Sequence, residues 1–97
     1  MSYVVRLEHV AVLQIERIAS WWKLHRLESP DLFETELIAL LSSLATLPYR
    51  GTPVPRSRPR STRRRLLIPH TTYRITYNVV DTTREVVVTR VASSRRR

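Results

Sequence analysis

The hydrophobic period of this chain changes once along its length, from helical spacing to strand alternation, and a proline-rich stretch marks the change. Ala11, Ile15, Ile18 and Trp22 recur at i, i+4, i+7 and i+11, which lines one side of a helix. Phe33, Leu37, Leu40 and Leu44 repeat the same spacing. Beyond the prolines, Tyr73, Ile75, Tyr77 and Val79 alternate with Arg74, Thr76 and Asn78, so the apolar set shares one face of a strand and the polar set the other. Helices followed by a run of strands define an α+β chain rather than an alternating α/β one.

The element boundaries follow from local chemistry. A short strand is expected over residues 3 to 7 and a helix over 9 to 27. Ser29, Pro30 and Asp31 then form a start signal, with a hydroxyl to cap free amides, a proline whose missing donor costs nothing in a first turn, and a carboxylate at the positive end of the dipole. Two helices joined by about three residues form an antiparallel hairpin over 9 to 47 that buries facing stripes. Pro48 and Gly51 end it. Pro48, Pro53, Pro55 and Pro59 make residues 48 to 62 a basic, exposed connector that blocks helix and central strand alike. Strands are expected at 63 to 68, 73 to 79 and 85 to 91, with a turn at Asp81, Thr82 and Thr83. The expected architecture is β-α-α-β-β-β: one domain over residues 1 to 97, an antiparallel sheet with the helical hairpin on one face.

Charge is distributed as unevenly as period. Thirteen of the 16 arginines lie from Arg50 onward against only Asp81 and Glu85. Lys23 is the sole lysine, so the basicity is planar guanidinium, which grips phosphate and carboxylate through paired hydrogen bonds. A hairpin centred near Thr82 sets Arg74 opposite Arg90, and a tight turn through Pro69 and His70 sets Arg65 opposite Arg74. That places three cations in one row on the face away from the helices, with Arg95, Arg96 and Arg97 at the adjacent strand end. An isolated arginine on an open sheet face is ordinarily a solvated side chain, but aligned like charges cost stability unless a bound anion offsets it. The candidate binding residues are therefore Arg65, Arg74, Arg90, Arg95 and Arg96. A polyanion or an acidic protein is the implied partner. His70, in the turn beside the row, is the candidate acid or base.

Several chemistries are excluded. The chain has no cysteine, and His9, His25 and His70 lack ligand spacing, so neither a metal nor a cofactor is expected. Gly51 is the only glycine, which rules out a glycine-rich phosphate loop, and no serine, histidine and aspartate constellation is present. No apolar run suggests a membrane span and no leader is evident, so a cytoplasmic location is expected. An enzyme built from these residues would rely on arginine, with histidine or tyrosine, and suits phosphodiester cleavage with electrostatic stabilisation. Trp22, Tyr73 and Tyr77 are read as core residues, with Trp21 flanking.

The order and spacing of these features resemble the RelE/ParE toxins of bacterial type II toxin-antitoxin modules, across nearly the whole chain. The similarity is carried by Trp21, Trp22 and Arg26, then Pro30, Leu32, Phe33, Glu36 and Leu37, then Pro48 and Gly51, then RRRLLIPHTTYRITY at 63 to 77, VVV at 86 to 88 and the terminal arginines. The resemblance implies a toxin held inactive by a cognate antitoxin, with a hetero-oligomer as the stored form. Members like RelE cut messenger RNA on the ribosome, and members like ParE poison DNA gyrase. Position by position, Arg74 matches the family's strand arginine, Arg65 a basic position on the preceding strand, and Arg95 or Arg96 the basic residue after the last strand. These, with His70 as acid or base, would be the catalytic set of an RNA-cutting member. Leu67, however, replaces a lysine of those members, and their tyrosine after the last strand has no counterpart up to Arg97. Ala92, Ser93 and Ser94 also replace an aromatic or His-Gly pair. The expectation is a ParE-like inhibitor of DNA gyrase acting by protein binding. Its alternatives are a RelE-like ribosome-dependent mRNA endonuclease and a non-toxic basic nucleic-acid-binding module.

Overall fold

The computed structural model describes residues 2–54 and 62–95. Within them run β1 (Val4–Leu7), α1 (His9–His25), α2 (Leu32–Thr46), β2 (Thr52–Pro53), β3 (Arg63–Leu67), β4 (Tyr73–Val80) and β5 (Glu85–Ser93). The strands form one sheet in the order β1-β5-β4-β3-β2. The class is α+β as expected, but the sheet is mixed: β1 runs parallel to β5, while the other neighbours are antiparallel. Short turns reveal hairpin partners in a sequence, whereas nothing local to residues 4–7 names β5 as their partner. β2 is a second addition, a two-residue edge pairing Thr52 with Arg65 and Pro53 with Arg64. Proline is tolerated there because an edge strand has one side free of ladder bonds.

Two helical details differ from expectation. Arg26 to Asp31 join the helices, a longer link than the spacing suggested, and Ser29 does not cap α2. Asp31 occupies the cap position without a side-chain hydrogen bond, because Ser29 and Pro30 are taken up in a turn in which the Leu32 amide donates to the Ser29 carbonyl.

The core forms where the helical stripes meet the apolar face of the sheet. Phe33, Leu37, Leu40 and Leu44 of α2 and Ala11, Ala19 and Trp22 of α1 are buried with Ile75, Tyr77, Val79, Val86, Val88 and Val91, and Ile15 and Ile18 pack against them. Trp22 donates its indole N–H to the Tyr73 hydroxyl at 3.1 Å, and Phe33 meets the Tyr73 ring edge-on at 5.0 Å between centroids. The other end is closed by polar bonds. Tyr3 and Tyr49 both donate their hydroxyls to Asp81, tying β1 and the segment after α2 to the β4–β5 turn.

Register decides which side chains face solvent. Val79 pairs with Val86 and Tyr77 with Val88, but Thr76 pairs with Arg90 and Ile75 with Val91, so Thr89 is an extra residue in β5. This β-bulge keeps Val91 on the core face and turns Arg90 to the open one. Without it, alternation from Val88 would send Arg90 inward.

Gly51 is required by proximity. A Cβ there would stand 2.7 Å from the Tyr77 hydroxyl and 2.8 Å from the Arg65 carbonyl oxygen, and the Gly51 amide itself donates to the Tyr77 hydroxyl at 2.9 Å. Gly51→Ala is expected to destabilise the fold by about 1–3 kcal/mol through overpacking. A thermal melt with an unchanged midpoint would refute this close approach.

Candidate functional site

Arginines in the basic half divide into those the fold uses and those it leaves free. Arg64 donates to the carbonyl oxygens of Gly51, at 2.7 Å, and Tyr49, at 3.2 Å, with its guanidinium 4.8 Å from the Tyr49 ring centre. Arg50 donates to the Ser43 hydroxyl at 2.8 Å. These two hold the link between α2 and β2 in place. Arg65, Arg74 and Arg90 instead line one cavity of about 100 Å³ with Thr76, Ala92 and Ser93. Arg74 and Arg90 are exposed and Arg65 is half-buried.

The three share a face as the sequence implied, but not a single row. Arg65 and Arg90 flank Thr76 on its two neighbouring strands, and Arg74 lies two residues along β4, opposite Leu67 and Ala92. Two turns account for the difference. The β3–β4 turn is wider than a tight Pro69–His70 reversal, since the Ile68 amide bonds to the Tyr73 carbonyl and Thr72 adopts φ 61°. The β4–β5 turn spans Asp81 to Arg84, with Arg84 at φ 55°, and the bulge then adds one residue. Each pairing moves by two positions, which preserves the face.

The carboxylates of the basic half do not neutralise the cluster. Glu85 meets Arg6 at 3.4 Å at the far end of β5. Asp81 lies five to seven residues from the cluster along β4, roughly 16–23 Å away, and is held by tyrosines. Hydrogen bonds from Tyr3 and Tyr49 keep its carboxyl below the usual range, and the same bond, with desolvation, pushes the Tyr49 phenol up to about 12. Among the described residues, no carboxylate pairs with Arg65, Arg74 or Arg90.

Arg95 and His70 do not join this cavity. They line an adjoining one of about 580 Å³ with Trp21, Trp22, Arg26, Thr71, Thr72, Tyr73 and Ser93, and Ser93 borders both. Trp21 stacks on His25 at 4.7 Å, and the Arg26 guanidinium lies 5.0 Å from the Trp21 ring centre. Sequence reasoning placed Trp21 as a flank but gave Arg26 and Ser93 no role, because only the fold brings the end of α1 beside the end of β5. Arg56, Arg58, Arg60, Arg96 and Arg97 lie outside the described residues.

His70 is engaged rather than free in its turn. Its ring nitrogen hydrogen-bonds Glu36 of α2, and the Thr71 amide donates to the same carboxylate at 3.1 Å, so Glu36 anchors the β3–β4 turn to the helix. Burial alone would raise the Glu36 carboxyl, but the His70 and Thr71 hydrogen bonds outweigh it and the net shift is downward. The separation of 34 positions between the partners explains why no spacing pattern announced the pair.

Among the described residues, no three His, Cys, Asp or Glu side chains gather as a metal site, and no helix is long and apolar enough to cross a membrane. Two helices lie on one face of a mixed five-stranded sheet, with guanidiniums gathered on the other. The chain belongs to the ParE toxin family of type II, parDE toxin-antitoxin systems, whose family model matches residues 5–97. No curated protein matches it. Solved structures share the fold. The toxin-antitoxin complex RelBE2 of Mycobacterium tuberculosis superposes with a TM-score of 0.61 at 22% identity, covering 96% of this chain and 99% of that one. A mutant of the E. coli toxin RelE in the free state gives 0.60 at 17% identity, covering 97% and 85%. The intact E. coli RelBE toxin-antitoxin complex gives 0.52 at 17% identity, covering 97% and 99%.

Two outcomes test this electrostatic picture. Removing one unpaired cation by Arg90→Gln is expected to raise the melting temperature by roughly 1–4 °C at low ionic strength, because like charges across strands repel. The gain should vanish in 1 M salt, where the screening length is about 3 Å; a lower melting temperature would mean that Arg90 is structurally paired. The depressed Glu36 carboxyl contributes stability that is fully present above its unfolded value of about 4.5 and lost as pH falls through the lower folded value. The stability gap between wild type and Glu36→Gln should therefore be widest near neutrality and close in acid. Urea titrations giving a pH-independent gap would contradict the assignment.

Proposed function

We propose that this protein is a ParE-like toxin that inhibits DNA gyrase by protein binding and is neutralised by a cognate antitoxin, both in the cytoplasm. The observation that carries this reading is the composition of the Arg65, Arg74 and Arg90 cavity. Its titratable groups are all guanidinium, which stays protonated at any physiological pH and therefore cannot act as a base. Cleaving RNA needs a positioned group that takes a proton from the attacking hydroxyl and one that gives a proton to the leaving oxygen. The Thr76 and Ser93 hydroxyls are the cavity's remaining polar side chains, and neither titrates there. What the cavity offers is a clamp for carboxylate or phosphate, suited to gripping an acidic surface of a partner. The antitoxin is expected to bring acidic side chains to the same face, which offsets the repulsion among the arginines and blocks the clamp.

A RelE-like mRNA endonuclease is the second reading, and one observation favours it. The adjoining cavity, which shares Ser93 as a lining residue, is also lined by His70, Tyr73 and Arg95, residue types able to move protons and stabilise a phosphorane.

Expression without antitoxin separates the two. The gyrase reading expects DNA-damage signalling and filamentation in cells, and loss of supercoiling by purified gyrase on addition of the protein. Prompt translation arrest with intact DNA would reverse the assignment to the ribosome. A harmless protein whose affinity for nucleic acid falls about 10³-fold or more between 50 and 200 mM salt would remove both toxin readings in favour of a phosphate-binding module. Arg65→Ala and Arg74→Ala should each reduce growth inhibition tenfold or more in inducer titrations while leaving the melting temperature within a few degrees of wild type. Full toxicity in both variants would leave the arginine cavity without a role.

A further inference from the structure

The cavity of about 580 Å³ where the end of α1 meets the β3–β4 turn and the end of β5 differs in chemistry from the arginine clamp beside it. Its volume lies in the range of about 300–1,000 Å³ that small-molecule sites occupy. It pairs cations with aromatic rings, which the clamp does not. Both tryptophans of the chain line it; Trp22 is buried in the wall, whereas Trp21 is 40% exposed. The Arg26 guanidinium lies 5.0 Å from the Trp21 ring centre and 5.7 Å from that of Trp22, where the negative faces of the indoles attract it. A guanidinium held in this way is a flat plate on which, as on an aromatic ring, a base can stack.

The polar part of the wall has donors to give. Neither Arg26 nor Arg95 meets a carboxylate among the described residues, and Glu36, which reaches the β3–β4 turn, is committed to His70 and the Thr71 amide. The Tyr73 hydroxyl accepts the Trp22 indole N–H at 3.1 Å, and the Ser93 hydroxyl accepts the Arg95 amide at 3.2 Å. Each hydroxyl is thus used as an acceptor and keeps its own hydrogen for a ligand.

We infer that this cavity binds a nucleotide, with the planar base against the Trp21 and Arg26 surface and the phosphate on Arg95 and the Ser93 hydroxyl. That chemistry is shared by a free nucleoside phosphate and by the phosphorylated end of a single strand. Such a site goes beyond the proposed activity and is independent of whether gyrase or the ribosome is the target.

Charge and shape favour this ligand over a peptide end or a plain anion. A terminal carboxylate is a single charge that one guanidinium satisfies through paired hydrogen bonds. Two guanidiniums without an internal acid suit a phosphate monoester, which carries close to two negative charges near neutrality. A plain anion would make no use of Trp21. An exposed indole contributes to binding when the ligand brings a flat face of its own.

The chain's own tryptophans make the test direct, since its indole emission arises only at this cavity. Full-length protein titrated with the four ribonucleoside 5′-monophosphates is expected to show saturable quenching by at least one of them, with the same Kd by calorimetry. The matching unphosphorylated nucleoside should bind tenfold or more weakly, and Arg95→Gln should narrow that difference. Arg26→Lys keeps the charge but loses the plate, and should weaken binding about fivefold or more, as should Trp21→Leu followed by calorimetry. Arg17→Gln removes an exposed cation of α1 outside the cavity and should leave the affinity within twofold. Melting temperatures within a few degrees of wild type show that these variants fold, and Arg26→Lys, at an exposed position, is the one least able to disturb packing. A 5′-phosphorylated oligonucleotide binding tenfold or more tighter than the best monophosphate assigns the strand end as the source, and equal or weaker binding assigns the free nucleotide. Inorganic phosphate competing as well as the nucleotides reduces the cavity to an anion site and overturns the inference. An acetylated tyrosine with a free carboxylate outcompeting every nucleotide overturns it in favour of a peptide end. Wild-type affinity in both Arg26→Lys and Trp21→Leu, or no saturable signal from any nucleotide, also overturns it, and leaves the gyrase and antitoxin readings intact.

Discussion

Val88 and Val91 are both buried on the same side of β5, three residues apart, although a regular strand presents alternate residues to one side. The chain reconciles this with one extra residue at Thr89, and most of what the open face can do depends on that insertion. Tyr77 and Ile75 keep valine partners across the ladder, so the core loses nothing. Arg90, which regular alternation would have driven into that core, is delivered to solvent beside Thr76 and across from Arg65. A local irregularity in one strand thus lets an apolar face and a cationic face occupy the same sheet without compromise.

The second determinant is where the acids are not. Asp81 is committed to two tyrosine hydroxyls and Glu85 to Arg6, both at the end of the sheet remote from the cavity. Arg50 and Arg64 are likewise absorbed by Ser43 and by the carbonyls of Tyr49 and Gly51. What remains at Arg65, Arg74 and Arg90 is repulsion held in place across three adjacent strands. The side chains are already gathered, so an anion bound there would relieve repulsion between them in addition to forming new bonds.

The parts of this structure that depend on local chemistry were legible in the sequence. The stripe Phe33, Leu37, Leu40, Leu44 is buried as its spacing demanded, and the alternation through β4 assigned Tyr77 to the core and Arg74 to the open face. Long-range choices were not legible. The partner of β1, the two-residue β2 and the Glu36–His70 bond each join segments whose own residues are compatible with several neighbours. The register of the arginines lies between these cases. Loop length alone misplaced Arg74 by two positions on each side, while the V-T-R-V interval in β5, where valines stand three apart, carried the sign of the bulge all along.

The margins of the sheet bear on how such a molecule behaves when its copies meet. One rim is β2, only two residues long, and its second residue, Pro53, has no amide hydrogen to offer an incoming backbone. The opposite rim is β1, four residues long, with Arg6 projecting from it into a contact with Glu85. Among the described residues, neither rim gives a neighbouring copy a long, uninterrupted template on which to stack a strand. A protein with this much exposed leucine and valine is thereby steered away from growing into ribbons, and its unsatisfied surface is kept for encounters between side chains.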